Sequence, residues 1–120
     1  VHLNSRNPSV PAGFKGKVSR SCHSLEEVAR CREEDYLFLS PVYNSISKNG
    51  YRSAFTEKSL LESDGIIGPR VYALGGVRPE NLPELERYGF GGAAFLGYVW
   101  KDATPENIVL RIREIRKYIR

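Results

Sequence analysis

Methionine is absent from these 120 residues, tryptophan occurs once and cysteine twice. Two thiols, Cys22 and Cys31, cannot build the disulfide framework of a small secreted domain, so a reducing, cytoplasmic setting is expected. No apolar run approaches the ~18 residues that cross a bilayer, and no basic start with an apolar core marks a signal peptide. A membrane partner is therefore not expected. Charge of one sign is also scarce: the net value of +4 slightly favours small anions and is no footprint of nucleic-acid binding. The chain opens on Val1, His2 and Leu3, a strand-like start without methionine, and the expectation is that an N-terminal portion is missing. What is present, 41% hydrophobic and 27% charged residues without linker or low-complexity tract, suits one globular domain over residues 1–120.

The segments alternate strand and helix. Strands are predicted at residues 1–3, 17–21, 35–40, 70–74 and 92–98. A loop rich in Pro, Gly and Asn follows the first of them. Ser24 and Glu27 form the pattern of a capping box, and Thr56 caps a short helix to about residue 63. Pro79 and Gly89 bracket another helix, proline at its start and glycine past its end. Thr104 and Pro105 open the last, whose Ile108, Ile112, Ile115 and Ile119 form one stripe. Connections of this length argue for an α/β fold with a parallel sheet, either a small open sheet or part of a barrel.

Polar and glycine signals follow the strands, at the carboxyl end where such folds bind ligands. Leu37, Phe38 and Leu39 run apolar without alternation, as in a strand covered on both faces, and Pro41 ends the pairing. Ser45, Ser47 and Lys48 then place two hydroxyls and one cation within four residues, a set matched to phosphate oxygens. An ordinary solvated turn would account for the lysine but has no need of the hydroxyl pair. After the next strand, Gly75 and Gly76 permit backbone N–H groups to approach a ligand. Cys22 reads as core rather than nucleophile. Arg111, Arg113, Arg116, Lys117 and Arg120 read as a solvated helix face opposite the isoleucine stripe, not as an RNA site.

In order along the chain, Ser21-Cys-His-Ser-Leu-Glu-Glu27, Asp35-Tyr36, Ser40-Pro41, Ser45-Ile-Ser-Lys48, Ala73-Leu-Gly-Gly-Val77 and Gly91-Gly-Ala-Ala-Phe-Leu-Gly97 resemble successive strand ends of the thiamine phosphate synthase/TenI family. The resemblance implies a (βα)8 TIM-barrel type fold of which this chain is the C-terminal portion, strands four to eight. It implies a transferase joining hydroxymethylpyrimidine diphosphate to thiazole phosphate with Mg2+. The alternatives are a TenI-like thiazole tautomerase or a non-catalytic phosphate-binding remnant. By the same resemblance Ser45 and Ser47 contact the thiazole phosphate, and Lys48 and Ser21 the pyrimidine diphosphate. Gly75, Gly76, Leu96 and Gly97 hold a phosphate through backbone N–H groups, and His23 is the acid/base of the tautomerase branch. Asn7 stands where the family presents a Mg2+-binding aspartate, and its uncharged amide weakens that site. Strand edges left open by a partial barrel predict a possible homo-oligomer.

Overall fold

The computed structural model describes residues 1–43, 55–63 and 65–119. Five strands, β1 (His2–Leu3), β2 (Ser19–Cys22), β3 (Tyr36–Leu39), β4 (Val71–Ala73) and β5 (Gly92–Ala93), form one sheet in sequence order. Every neighbouring pair is parallel, with Ser19 opposite His2, Tyr36 opposite Ser19 and Ala93 opposite Ala73. Parallel strands ordered as in sequence are the arrangement of a (βα)8-type wall, so the predicted class holds.

Helix α1 (Leu25–Arg30) follows β2, and its start is set locally: the Ser24 hydroxyl accepts the N–H of Glu27 at 3.1 Å. Among the described hydrogen bonds Glu27 does not reach back, so only half of the expected box forms. Helix α2 (Glu57–Leu61) carries a full box between Thr56 and Ser59. A 3₁₀ turn (Pro79–Asn81) leads into α3 (Leu82–Tyr88), which Gly89 ends in the left-handed region at φ 98°. Helix α5 (Pro105–Arg116) starts where Thr104 accepts from the N–H of Asn107.

The core lies on one face of the sheet. Leu37, Leu39 and Ala73 are completely buried and pack with Val28 of α1, Leu60 of α2 and Leu85 and Tyr88 of α3. Cys22 belongs to this cluster, with its Sγ 4.0 Å from that of Cys31, and both thiols are free. Burial pushes the Cys22 thiol from 9.0 up to about 12, the behaviour of a core residue.

Four sequence expectations are corrected. The fifth strand stops at Ala93 rather than residue 98, because Ala94 makes the last ladder bond to Ala73 and the chain then coils into α4 (Gly97–Trp100). The isoleucine stripe of α5 does not enter the core: no residue of α5 is buried, and Ile112 and Ile119 are exposed. Arg111 is not solvated, since its guanidinium donates to the carbonyls of Val99 at 2.9 Å and Lys101 at 2.8 Å, satisfying the end of α4. Finally, Phe38 is only partly buried, so β3 is sealed on one face and half open on the other.

Candidate functional site

Alternation along each strand sorts the side chains into two faces. With Leu37, Leu39, Val71 and Ala73 on the core side, the opposite face carries His2, Ser19, Ser21, Tyr36, Phe38 and Tyr72. Their rings meet edge-on: His2 with Phe38 at 5.7 Å, Tyr36 with Phe38 at 5.6 Å and Tyr36 with Tyr72 at 5.8 Å. Gly92 makes room for this row, because a Cβ there would lie 2.6 Å from the Tyr72 ring.

The carboxyl ends of the strands bring most of the predicted site residues to one rim. Ser21 lies near the end of β2, its hydroxyl 2.7 Å from His2 Nε2, and exposed His23 follows in the turn before α1. From β3 the chain leaves through a cis Ser40–Pro41 peptide. Val42 then donates to the Leu74 carbonyl and Tyr43 to that of Gly75, both at 3.0 Å, so the exits of β3 and β4 are sewn together. Gly75 (φ 97°) and Gly76 (φ 66°) both occupy the left-handed region, and a Cβ on Gly75 would sit 2.7 Å from Pro41 Cα. Only glycine fits that turn.

Leu96 and Gly97 follow β5, the strand paired to β4, at the same end. Among the described residues the N–H groups of Gly76, Leu96 and Gly97 have no acceptor. The Arg78 guanidinium lies 5.7 Å from the Tyr98 ring centre, linking these two strand exits. Ser45, Ser47 and Lys48 lie outside the described residues; the chain enters their segment after Tyr43, from this same rim.

At the end of β1, the Asn4 side chain accepts the N–H groups of Arg6 and Asn7, both at 3.0 Å, closing a turn that exposes Asn7. Among the described residues no three His, Cys, Asp or Glu side chains come together to hold a metal. The Asn7 amide offers an oxygen without charge, a weaker Mg2+ ligand than a carboxylate.

Sequence reasoning missed two groups. By sequence His2 is only part of a strand, although a histidine opposite serines can link them; the register that pairs these residues is a tertiary fact. Tyr43 likewise carries no local signal: its hydroxyl donates to Glu84 at 2.5 Å, and burial together with that carboxylate raises its pKa. This bond ties the β3 exit to α3, beside a cleft of about 210 Å3 lined by Val42, Phe55, Leu60 and Tyr88.

A parallel α/β sheet in sequence order, with helices on one face and glycine-rich turns at its carboxyl rim, defines the class of (βα)-barrel-type proteins. The profile of the family described as thiamine monophosphate synthase matches residues 9–99, and the chain belongs to that family. Thiamine-phosphate synthase of Parasynechococcus marenigrum is 35% identical over 114 residues, covering 89% of this chain and 32% of the relative. That of Synechococcus sp. strain CC9605 is 32% identical over 106 residues, covering 82% and 30%. The crystal structure of thiamine phosphate pyrophosphorylase from Bacteroides thetaiotaomicron superposes with a TM-score of 0.82 at 37% identity, covering 98% of this chain and 59% of that one. This chain thus spans about a third of the two sequence relatives and somewhat over half of the structural one. No helix among the described residues is long and apolar enough to cross a membrane.

Proposed function

We propose that this chain carries the phosphate-binding rim of a thiamine-phosphate synthase, the transferase that joins hydroxymethylpyrimidine diphosphate to thiazole phosphate and releases diphosphate. The observation that carries the reading is the Gly75–Gly76 turn, pressed against Pro41 in a conformation that excludes side chains, beside the unpaired N–H groups of Leu96 and Gly97. Backbone donors arranged in this way suit a phosphate dianion and need no reorganisation when it arrives. Ser21 adds a hydroxyl from β2, further along the same rim. Ser45, Ser47 and Lys48 supply hydroxyls and one cation from the β3 exit, with Lys48 opposing the charge that grows on the departing diphosphate. Because such a reaction separates charge rather than using a protein nucleophile, positioned donors are what the protein must contribute. The Mg2+ characteristic of this chemistry would supply further charge neutralisation, and the described residues present no set to hold it.

Calorimetric titration of the 120-residue chain with thiazole phosphate tests the rim. Gly76→Val should abolish measurable affinity while circular dichroism stays native. Undiminished affinity in a folded variant overturns the reading.

His23, exposed two residues beyond Ser21, supports a second reading as a thiazole tautomerase. In a protein carrying the whole barrel, Lys48→Ala should lower the synthase rate by about 10²–10³-fold, the scale of losing one preorganised stabiliser. His23→Ala should leave it within a few fold. The reverse pattern in a tautomerase assay would select the second reading.

A further inference from the structure

We propose that His2 is a positioning residue, held as its Nε2–H tautomer between two serines of β2 so that the Ser21 hydroxyl becomes an obligate donor to an anion. The inference rests on the phosphate reading of the rim and assigns a role to a residue outside it.

The parallel register sets His2 opposite Ser19, and the imidazole spans two hydroxyls of the facing strand: Nδ1 is 2.9 Å from Ser19 Oγ and Nε2 is 2.7 Å from Ser21 Oγ. Turning the ring over would set carbon atoms against both hydroxyls, so the two bonds together fix its orientation. Phe38 packs edge-on against it at 5.7 Å and 64°. A neutral imidazole donates from one nitrogen and accepts at the other, which leaves two arrangements.

Burial decides between them. Ser19 is only 4% exposed, and His2 is its side-chain partner among the described residues. A proton on Nδ1 would make the Ser19 oxygen an acceptor and strand its own O–H in a buried place, an unmade bond that is costly there. Ser19 therefore donates to Nδ1, the ring proton lies on Nε2, and Nε2–H donates to Ser21 Oγ. Ser21 is the more exposed of the pair, and its own O–H cannot point back at a donor. It remains available to a ligand that only accepts, as phosphate oxygens do.

Long-range ¹⁵N NMR of histidine-labelled chain, at a pH where imidazoles are neutral, reads the tautomer directly. His2 should show a protonated Nε2 and a bare Nδ1, while His23, for which no side-chain hydrogen bond is described, serves as the averaged control. A His2 signal averaged like that of His23, or one protonated at Nδ1, overturns the proposal. Titration with inorganic phosphate gives the second readout. His2→Phe and Ser21→Ala should each weaken binding by about tenfold, the scale of one hydrogen bond to a charged group. The double variant should be no weaker than either alone, and additive losses overturn the coupling. Absence of phosphate binding by the unmodified chain would remove the rim reading, and the tautomer would then decide the role of His2 alone. The NMR result stands also if His2→Phe does not fold.

Discussion

The two faces of one five-stranded sheet differ in kind. On the helix-covered face Leu37, Leu39, Val71, Ala73 and Cys22 are aliphatic or sulfur-bearing and essentially inaccessible. On the other, His2, Ser19, Ser21, Tyr36, Phe38 and Tyr72 interleave hydroxyls with rings, and Tyr36 is still exposed. Adjacent residues of the same strand therefore serve different purposes: Leu39 holds the sheet to its helices, whereas Phe38 and Ser21 shape and equip the surface facing the rim. The difference teaches where stability and binding should separate under mutation.

The largest separation is expected between neighbours in β3. Leu39→Ala, which empties a fully buried position, should cost about 2–5 kcal/mol in urea unfolding. Phe38→Ala, on the half-open face, should cost less than half as much, because part of that ring is already in water. Equal costs would mean that the two faces are equally load-carrying, and the comparison would break.

A second, intermediate effect contrasts Cys22 with Ser21. The Cys22 thiol stays protonated in the folded chain up to about 12 but ionises near 9.0 once exposed. A raised folded-state pKa gives stability that is complete below the unfolded value and lost as pH climbs, so stability should decline from about pH 9 to about pH 12. Tyr88, raised from 10.0 to about 12 by burial, contributes in the same direction. Cys22→Ala should flatten part of the decline and Ser21→Ala should not. Unfolding curves collected across that range check it, and an unchanged slope in Cys22→Ala would count against core burial as the cause.

The smallest effect sharpens the same division. Ser24→Ala removes the N-cap of α1, a helix of the covered face, and should cost about 1 kcal/mol of stability. Phosphate affinity at the rim should be unchanged. A parallel loss of affinity would show that the helix layer and the rim are coupled.

Open edges sharpen the contrast at the level of the whole chain. Leu96, Trp100, Leu110 and Ile119 are more than half exposed, and among the described residues β1 and β5 each have one unpaired side. The isolated 120-residue chain should accordingly self-associate in sedimentation, through strand edges and apolar side chains. A well-dispersed monomer would show that the half-open sheet is self-sufficient.

Much of this was determined by sequence alone. Short apolar runs, the caps at Ser24, Thr56 and Thr104, and the bracket of Pro79 and Gly89 are local signals, because capping and backbone restriction act within a few residues. Parallel order followed from connection lengths, and the glycine pair marked the rim because only glycine tolerates that backbone. Tertiary structure alone decided the rest. The run after Gly92 reads as strand through residue 98, and only the sheet shows that β4 offers its last ladder acceptor at Ala73. The isoleucine stripe of α5 promised a buried face, yet burial depends on what packs against a helix, and among the described elements α5 meets chiefly α4. Arg111 looked like surface charge until the end of α4 was found beneath it. His2 gained its meaning from a register 17 residues away, which no local pattern encodes, since strand pairing is settled by the packing of the whole sheet.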